Sequence, residues 1–235
     1  MTGIMMHNAT PQSNQFISAG SLLYLDANNY SGVGTVWTDL SSNSNNGTII
    51  GSPLYNNANG GYFTFNGSGS QYVNTAGSKY NSTYTGKTTL FAARINPSAF
   101  TSGVSQYRCL FGVTSGASRN WNTYILHDTS NMLYIHFSAG LVGVISNPIS
   151  VSSNQWFICA VTQTTSGTAT CYVNGQSVGA FAMAFSQWFN VSTEAIASSD
   201  NYWYGDIAIS AIYGRTLSSN EINQNFNALR SRYGI

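Results

Sequence analysis

The sequence predicts an all-β protein, a two-sheet antiparallel jelly-roll sandwich that ends in one short helix. Short apolar runs recur after residue 20 at even spacing, separated by turns rich in Gly, Asn and Ser. The last thirty residues begin with one more buried strand and a turn, and then change to a helical period. No linker and no internal repeat interrupts this pattern. At 235 residues, such a sandwich forms one domain, which we place at residues 21–235.

The predicted strands follow one another through most of the chain. The proline of Asn96-Pro97 ends the longest early run, and Asn174-Gly175 is a strong signal for a tight hairpin. More than ten short strands with such turns are typical of a sandwich or jelly roll. The predicted strands are residues 22–25, 36–37, 48–50, 62–65, 71–74, 88–95, 108–113, 123–127, 132–138, 141–145, 156–163, 169–173, 176–182 and 207–213.

The closing helix has a complete start signal. Ser218 and Glu221 have the Ser-x-x-Glu spacing of a capping box, and Leu217 and Ile222 flank it as a hydrophobic staple. Gly234 is placed to end the helix. One helical face then carries Ile222, Phe226, Leu229 and Tyr233. We therefore expect this helix to dock on the sandwich, which leaves Glu221 with a structural role.

Charge and composition exclude several classes of function. Charged residues make up 6% of the chain and the net charge is +1, so there is no basic surface for nucleic acid. No apolar run has the length of a membrane span, and the N-terminus lacks the features of a signal peptide. Without a membrane or nucleic-acid partner, the expected contacts are with proteins or glycans.

The three cysteines are predicted to be buried free thiols. Cys159 and Cys171 lie on the arms of a hairpin around Gly167, and a turn centred there places them diagonally, at a poor distance for a disulfide. Cys109 also lies in an apolar run, and the three have no metal-ligand spacing. We expect no metal site and no cofactor. Asp26 and Asp39 are more typical of Asx turns than of calcium ligands.

Residues 1–20 form a separate N-terminal arm in this interpretation. The arm holds three of the five methionines and no charged side chain, and it shows no regular period. Two alternatives stay open: an arm that becomes ordered against a neighbouring subunit or capsid protein, and a disordered tail.

The chain resembles the concanavalin A-like jelly rolls of the laminin G-like type. The resemblance is carried by LLYLDA at 22–27, WTDLS at 37–41, YFTFNG at 62–67, YVNG at 172–175 and IYGRTLS at 212–218. The ending, with NFNALR at 225–230, is similar to versions carried by virion proteins of tailed bacteriophages. The resemblance implies a lectin or glucanase-like sandwich and a location in a virion.

An enzymatic role is not expected. Glycoside hydrolysis, the reaction this fold invites, needs two carboxylates across a sugar. The chain has two glutamates, Glu194 and Glu221, and lacks the Glu-x-Asp-x-x-Glu strand of the laminarinase-like branch. His127-Asp128 is no preformed dyad, because adjacent strand residues point to opposite faces. We therefore predict no catalytic residues.

Two functions remain. The first is a structural virion protein, most simply a capsid decoration (cement) protein on the capsid exterior, which contacts the major capsid protein as a closed homo-oligomer such as a trimer. The alternative is a carbohydrate-binding, lectin-like adhesion module of a tail fibre or cell-surface protein. For that alternative, the candidate sugar-binding residues are Trp121, Tyr124, Tyr202 and Trp203, in Asn- and Tyr-rich stretches.

Overall fold

The structure is a computed structural model that describes residues 15–75, 84–113, 122–139, 142–183, 194–197 and 201–235. These residues form sixteen strands and one α-helix, α1 (Ser219–Tyr233). The strands are β1 (Ser21–Asp26), β2 (Val36–Trp37), β3 (Gly47–Ile50), β4 (Leu54–Asn56), β5 (Tyr62–Asn66), β6 (Tyr72–Asn74), β7 (Gly86–Ile95), β8 (Gln106–Val113), β9 (Asn122–His127), β10 (Leu133–Ala139), β11 (Val142–Ile145), β12 (Trp156–Thr164), β13 (Thr168–Val173), β14 (Gln176–Ala182), β15 (Glu194–Ile196) and β16 (Tyr204–Tyr213).

The strands form two antiparallel sheets of eight. The first sheet has the order β14-β13-β12-β7-β16-β5-β4, and β1 also pairs with β16. The second sheet has the order β11-β10-β9-β8-β15-β6-β3-β2. All of these pairings are antiparallel, and the single helix lies near the C-terminus, so the predicted two-sheet sandwich with a short closing helix is confirmed.

The first sheet is the middle layer of the protein. Along β7, Phe91 and Ala93 point into the core between the sheets, whereas Leu90 and Ala92 point to the opposite face. That opposite face is covered by α1 through Ile222 and Leu229. Where a strand is buried on both faces, its residues are continuously apolar rather than alternating, as at residues 90–93 of β7 and 207–209 of β16.

The start and end of α1 follow the prediction. The Ser218 hydroxyl accepts a hydrogen bond from the Glu221 amide, and the Ser218 amide donates to the Glu221 carboxylate at 2.9 Å. Gly234 has a φ of 69°, the left-handed conformation that ends a helix. Arg215 pairs with Glu221 at 2.8 Å, and this partner lowers the pKa of the Glu221 carboxyl.

The three cysteines are free and buried, as predicted. Cys159 lies opposite Val173 and Cys171 lies opposite Val161, so the two thiols are diagonal neighbours across β12 and β13. Burial raises the pKa of both thiols, that of Cys171 to about 12. Protonated, inaccessible thiols are unreactive.

Two strands were not predicted, and both are short. β4 and β15 have three residues each, too few to show alternation, and β4 lies within a stretch rich in Asn and Gly. Each strand predicted between residues 22 and 182 is observed, and its ends agree with the prediction to within two residues. The strand predicted at 207–213 begins three residues earlier, at Tyr204. No helix among the described residues is long and apolar enough to cross a membrane.

Part of the predicted N-terminal arm packs on the protein's own surface. Phe16 stacks on Tyr24 with 4.6 Å between ring centroids. The Ile17 amide donates to Asn225 Oδ1 at 2.7 Å, and the Ile17 carbonyl accepts from the Tyr213 hydroxyl. Residues 1–14 of the arm lie outside the described residues, and the arm's role against a partner stays a prediction.

Candidate functional site

A cavity of about 330 Å³ opens at one end of the sandwich. Three connections meet there: the loop from β7 to β8, the turn from β9 to β10, and the loop that enters β12. The cavity lies between the sheets, because Ile95 ends a strand of the first sheet and His127 ends a strand of the second. Its wall consists of Ile95, Asn96, Pro97, Phe100, Ser102, His127, Asn131, Leu133 and Ser153.

Two rings form one part of this wall. Phe100 and His127 stack with 5.0 Å between centroids and 12° between planes. The Nδ1 atom of His127 lies 3.1 Å from the Val104 carbonyl oxygen. Because a carbonyl only accepts, Nδ1 carries the proton, and in the neutral imidazole Nε2 is then an acceptor. The pair therefore combines an apolar ring with one fixed hydrogen-bond acceptor.

Two asparagines supply donors to the same wall. Asn96 accepts a hydrogen bond from the Ser98 amide at 2.8 Å, which forms an Asx turn. Asn131 has a φ of 62° and accepts from the Gly103 amide at 2.8 Å. These bonds occupy the Oδ1 atoms and fix each side chain, so the Nδ2 groups are the hydrogen-bond capacity that remains for a ligand.

The described residues of the wall include no charged side chain. It offers the Asn96 and Asn131 amides, the His127 acceptor, the Ser102 and Ser153 hydroxyls, and the apolar Phe100 ring. Such a cavity binds by hydrogen bonds and ring packing, which suits a small polyhydroxylated group. Its volume exceeds that of a single sugar residue.

The four residues predicted to bind sugar do not form this site. Trp203 is completely buried in the core, where Nε1 donates to the Asp206 carbonyl at 3.3 Å. Tyr124 is 3% exposed, on the outer face of the second sheet. Tyr202 is partly buried, and Trp121 lies outside the described residues. The expectation that Tyr124 and Trp203 present exposed rings to a sugar is therefore wrong, because both side chains are buried. Sugar binding by the protein stays a prediction.

Tyr124 belongs to a separate aromatic cluster. Its ring centroid lies 5.9 Å from that of Tyr107 and 5.7 Å from that of His136 on β10. The site residues that sequence reasoning missed are Asn96, Phe100 and Asn131, and it considered His127 only as half of a catalytic dyad that it rejected. Their only signal was turn chemistry, Asn before Pro97 and the loop that begins at Asp128.

A second cleft of about 420 Å³ lies where the edges of the two sheets meet. Tyr30, Tyr55 and Phe63 form its floor, with 4.9 Å between the Tyr30 and Tyr55 ring centroids. The hydroxyls of both tyrosines donate to backbone carbonyls of the protein, those of Gly34 and Ala27. This edge cleft therefore offers mainly apolar surface.

Carboxylates near the predicted turns have structural partners. Asp39 Oδ1 accepts from the Tyr24 amide at 2.8 Å and the Ser41 amide at 2.9 Å, and Oδ2 accepts from the Asn45 amide. Asp26 Oδ1 accepts from the Asn28 amide, an Asx turn of the predicted kind. Within the described parts of the chain, no group of three or more His, Cys, Asp or Glu side chains could hold a metal ion.

Solved structures with a similar fold include two botulinum neurotoxin structures. The chain matches a botulinum neurotoxin type C structure, described for cell entry through two ganglioside molecules, at a TM-score of 0.68 and 19% identity, over 91% of this chain and 52% of the other. The binding domain of botulinum neurotoxin DC in complex with rat synaptotagmin II matches at a TM-score of 0.68 and 18% identity, over 91% of this chain and 52% of the other. This chain spans about half the length of those chains.

A third solved structure matches almost end to end. It is domain 4 of an extracellular arabinanase from Geobacillus stearothermophilus in complex with arabinotriose, with a TM-score of 0.62 and 15% identity, over 87% of this chain and 97% of that domain. At these identities the likeness shows the fold. A comparison with curated protein sequences finds no match.

The family assignment comes from the sequence itself. A family model described as the concanavalin A-like lectin/glucanases superfamily matches residues 67–223, more than half of the chain. The matched segment includes most strands of both sheets, the loops of the open-end cavity and the start of α1. The chain is a member of the concanavalin A-like lectin/glucanase superfamily.

Proposed function

We propose that this protein is a non-enzymatic, lectin-like binding module whose glycan site is the open-end cavity. The observation that carries the proposal is the composition of its wall. Two asparagines, a histidine whose Nδ1 is bound to a backbone carbonyl, two serines and the Phe100 ring line this one cavity. Such a set matches the hydroxyls and the apolar face of a sugar.

The fold comparisons support a binding role. The neurotoxin structures are described by their interactions with gangliosides and with a protein receptor, and the arabinanase domain is complexed with arabinotriose. The arabinanase domain is the more informative neighbour, because its length is close to that of this chain. A domain of this size with this fold is therefore compatible with glycan binding.

The proposed absence of catalysis follows from how the described carboxylates are used. Asp206 pairs with Arg94 at 2.6 Å, Asp26 pairs with Arg232 at 2.8 Å, and Glu221 caps α1. Asp128 accepts hydrogen bonds from two backbone amides and the Tyr134 hydroxyl. Among the described residues, the lining of the open-end cavity includes no carboxylate, which supports the proposed non-enzymatic role.

The capsid-decoration function stays a prediction, as do the virion location, the major capsid protein as partner and the homo-oligomer. The neighbours named above are described with gangliosides, with synaptotagmin II and with arabinotriose, and none of these descriptions concerns a capsid. The observations therefore favour the adhesion-module alternative over the cement role. Quantitative mass spectrometry of purified phage particles tests the virion location, since a decoration protein is present at capsid stoichiometry.

A glycan array followed by calorimetry tests the binding site. We expect at least one specific glycan for the wild type and about a tenfold weaker Kd in Phe100→Leu, which keeps apolar volume but removes the ring. Leu54→Ala, in the edge cleft, is the matched control and leaves Kd unchanged. If affinity for the glycan falls equally in both variants, or does not fall in Phe100→Leu, the glycan binds elsewhere on the protein.

A further inference from the structure

Arg108 lies beside the open-end cavity, and none of the described acidic residues forms an ion pair with it. In the pairing of β8 with β9, Gln106 is opposite His127 and Arg108 is opposite Ile125. Ile125 is completely buried in the core between the sheets. Because residues two apart in a strand share a face, Arg108 points inward on the same face as His127.

The guanidinium is held against the ring that lines the cavity. Its Cζ lies 5.7 Å from the Phe100 ring centroid. Nε donates to the Ala99 carbonyl at 2.8 Å, and Nη2 donates to the same oxygen. Phe100 therefore contacts His127 and Arg108 at once. The Ala99 carbonyl takes one hydrogen from each of two nitrogens, which leaves three of the five guanidinium hydrogens.

The other inward or partly buried arginines are neutralised. Arg94, Arg215 and Arg232 each form an ion pair with a carboxylate, at 2.6, 2.8 and 2.8 Å. Arg108 makes no such pair within the part of the chain that the structure describes. Burial alone lowers the pKa of Arg108, which shows a desolvated cation without an acidic neighbour. A partly desolvated charge without a counter-charge is unfavourable, and an anion would relieve it.

We propose that Arg108 makes the open-end cavity selective for acidic glycans, those that carry a carboxylate. The sugar carboxylate accepts hydrogen bonds from Nη1 and from the remaining Nη2 hydrogen, while the sugar ring and its hydroxyls occupy the cavity lined by Phe100, His127 and Asn131. This inference rests on the proposed function of the same cavity. It adds the class of sugar, because the cavity wall has no charge of its own.

The geometry explains why arginine suits this position. A guanidinium offers hydrogens in two directions, so it can hold the Ala99 carbonyl and still bind a carboxylate. A lysine ammonium is one point of charge on a flexible chain and serves either purpose poorly. Arg108→Lys is therefore a sensitive variant, since it keeps the charge and removes the planar fork.

The test uses 3′-sialyllactose and a galacturonate trisaccharide, each beside its carboxyl-reduced, neutral counterpart, in calorimetry with the full chain. For the glycan that binds, we expect the wild type to prefer the acidic form by about tenfold, a preference that falls with added salt. Arg108→Gln abolishes the preference, so that the acidic and neutral forms bind this variant with equal Kd. Arg108→Lys retains only part of it. Thermal unfolding of each variant reports whether the Ala99 contact was needed for folding.

The outcomes separate the two proposals. Equal binding of acidic and neutral forms by the wild type overturns the role of Arg108 and leaves the glycan site intact. An acidic preference that survives in Arg108→Gln also overturns it. Binding of neither form, together with no hit among acidic glycans on the array, overturns the acidic-glycan inference; an array empty of all glycans overturns the proposed function as well.

Discussion

The helix-covered face of the first sheet and the open end of the sandwich use the same residue types in opposite ways. On the covered face, Ile222 and Leu229 fill the space over β7 and β16, and the arginine at its border, Arg94, has a carboxylate partner. At the open end, Asn96, His127 and Asn131 keep hydrogen-bond capacity, and Arg108 keeps a charge. The covered face stabilises the fold, and the open end retains the capacity to bind.

Substitution of Ile222 should have the largest effect on stability. Ile222 is 2% exposed between α1 and the first sheet, and Ile222→Ala removes its packing and leaves a cavity. We expect the free energy of unfolding to fall by about 3 kcal/mol, measured by urea denaturation. Ser231→Ala, on the exposed side of the same helix, should change it by less than about 0.5 kcal/mol. Similar values for both would show that α1 is not docked.

Asp206 tests the paired charges at the border of the covered face. Its carboxylate accepts from Arg94 Nε at 2.6 Å and from the Thr64 hydroxyl, and the Arg94 guanidinium lies over the rings of Tyr62 and Trp156. Asp206→Ala should destabilise the protein by about 2 kcal/mol, because a partly buried cation loses its partner. Asp206→Asn keeps a hydrogen-bond acceptor, so it should lower the free energy of unfolding by less than Asp206→Ala does. An unchanged midpoint in Asp206→Ala would mean that solvent replaces the carboxylate.

The helix cap should contribute less. Ser218→Ala removes the acceptor for the Glu221 amide, and we expect a loss of about 1 kcal/mol. Ser219→Ala, one residue further on and equally exposed, is the control and should be close to neutral. The contrast is read from the difference between their urea midpoints.

The Arg215–Glu221 pair gives a smaller, pH-dependent effect. Arg215 lowers the pKa of the Glu221 carboxyl in the folded protein, so the ionised form favours folding. This contribution is complete above the ordinary glutamate range, about 4.3, and it is lost as the pH falls through the lowered pKa of the folded state. The free energy of unfolding of wild type should therefore exceed that of Glu221→Gln at pH 6, and this difference should shrink as the pH falls to about 3. A gap that widens on acidification would contradict the pairing.

At the open end, the smallest effect on stability should accompany a loss of binding. Asn131 has a left-handed backbone that glycine also adopts, so Asn131→Gly should change stability by less than about 0.5 kcal/mol. The same variant loses the Nδ2 donor and should weaken glycan binding by about fivefold. If Asn131→Gly lowered the free energy of unfolding strongly and left the affinity for glycan unchanged, Asn131 would stabilise the fold rather than bind a ligand.

The sequence made the fold predictable where its signals are local. The capping box at Ser218 and Glu221, the Asn174-Gly175 turn and the long run of β7 each specify structure within a few residues. β15 could not be found, because three residues carry no period. Trp203 was misplaced because its Tyr- and Asn-rich neighbours resemble an exposed loop, whereas the chain turns it into the core.

The cavity was beyond sequence reasoning for a different reason. Asn96, His127 and Ser153 come from three connections far apart in the chain and meet only because the sheets place their ends together. No single segment shows the ligand chemistry. The Arg108 contact with Phe100 likewise depends on the register between β8 and β9, which no local pattern determines.

The contacts of residues 15–17 determine how the protein is best immobilised. Gln15 and Ile17 are held by Gln224 and Asn225 of α1 and by Tyr213, so this part of the chain lies over the helix-covered face. Tyr213 is at the end of β16 opposite Tyr204, the end that adjoins the cavity. A biosensor surface linked through the N-terminal side therefore leaves the cavity facing the flowing analyte.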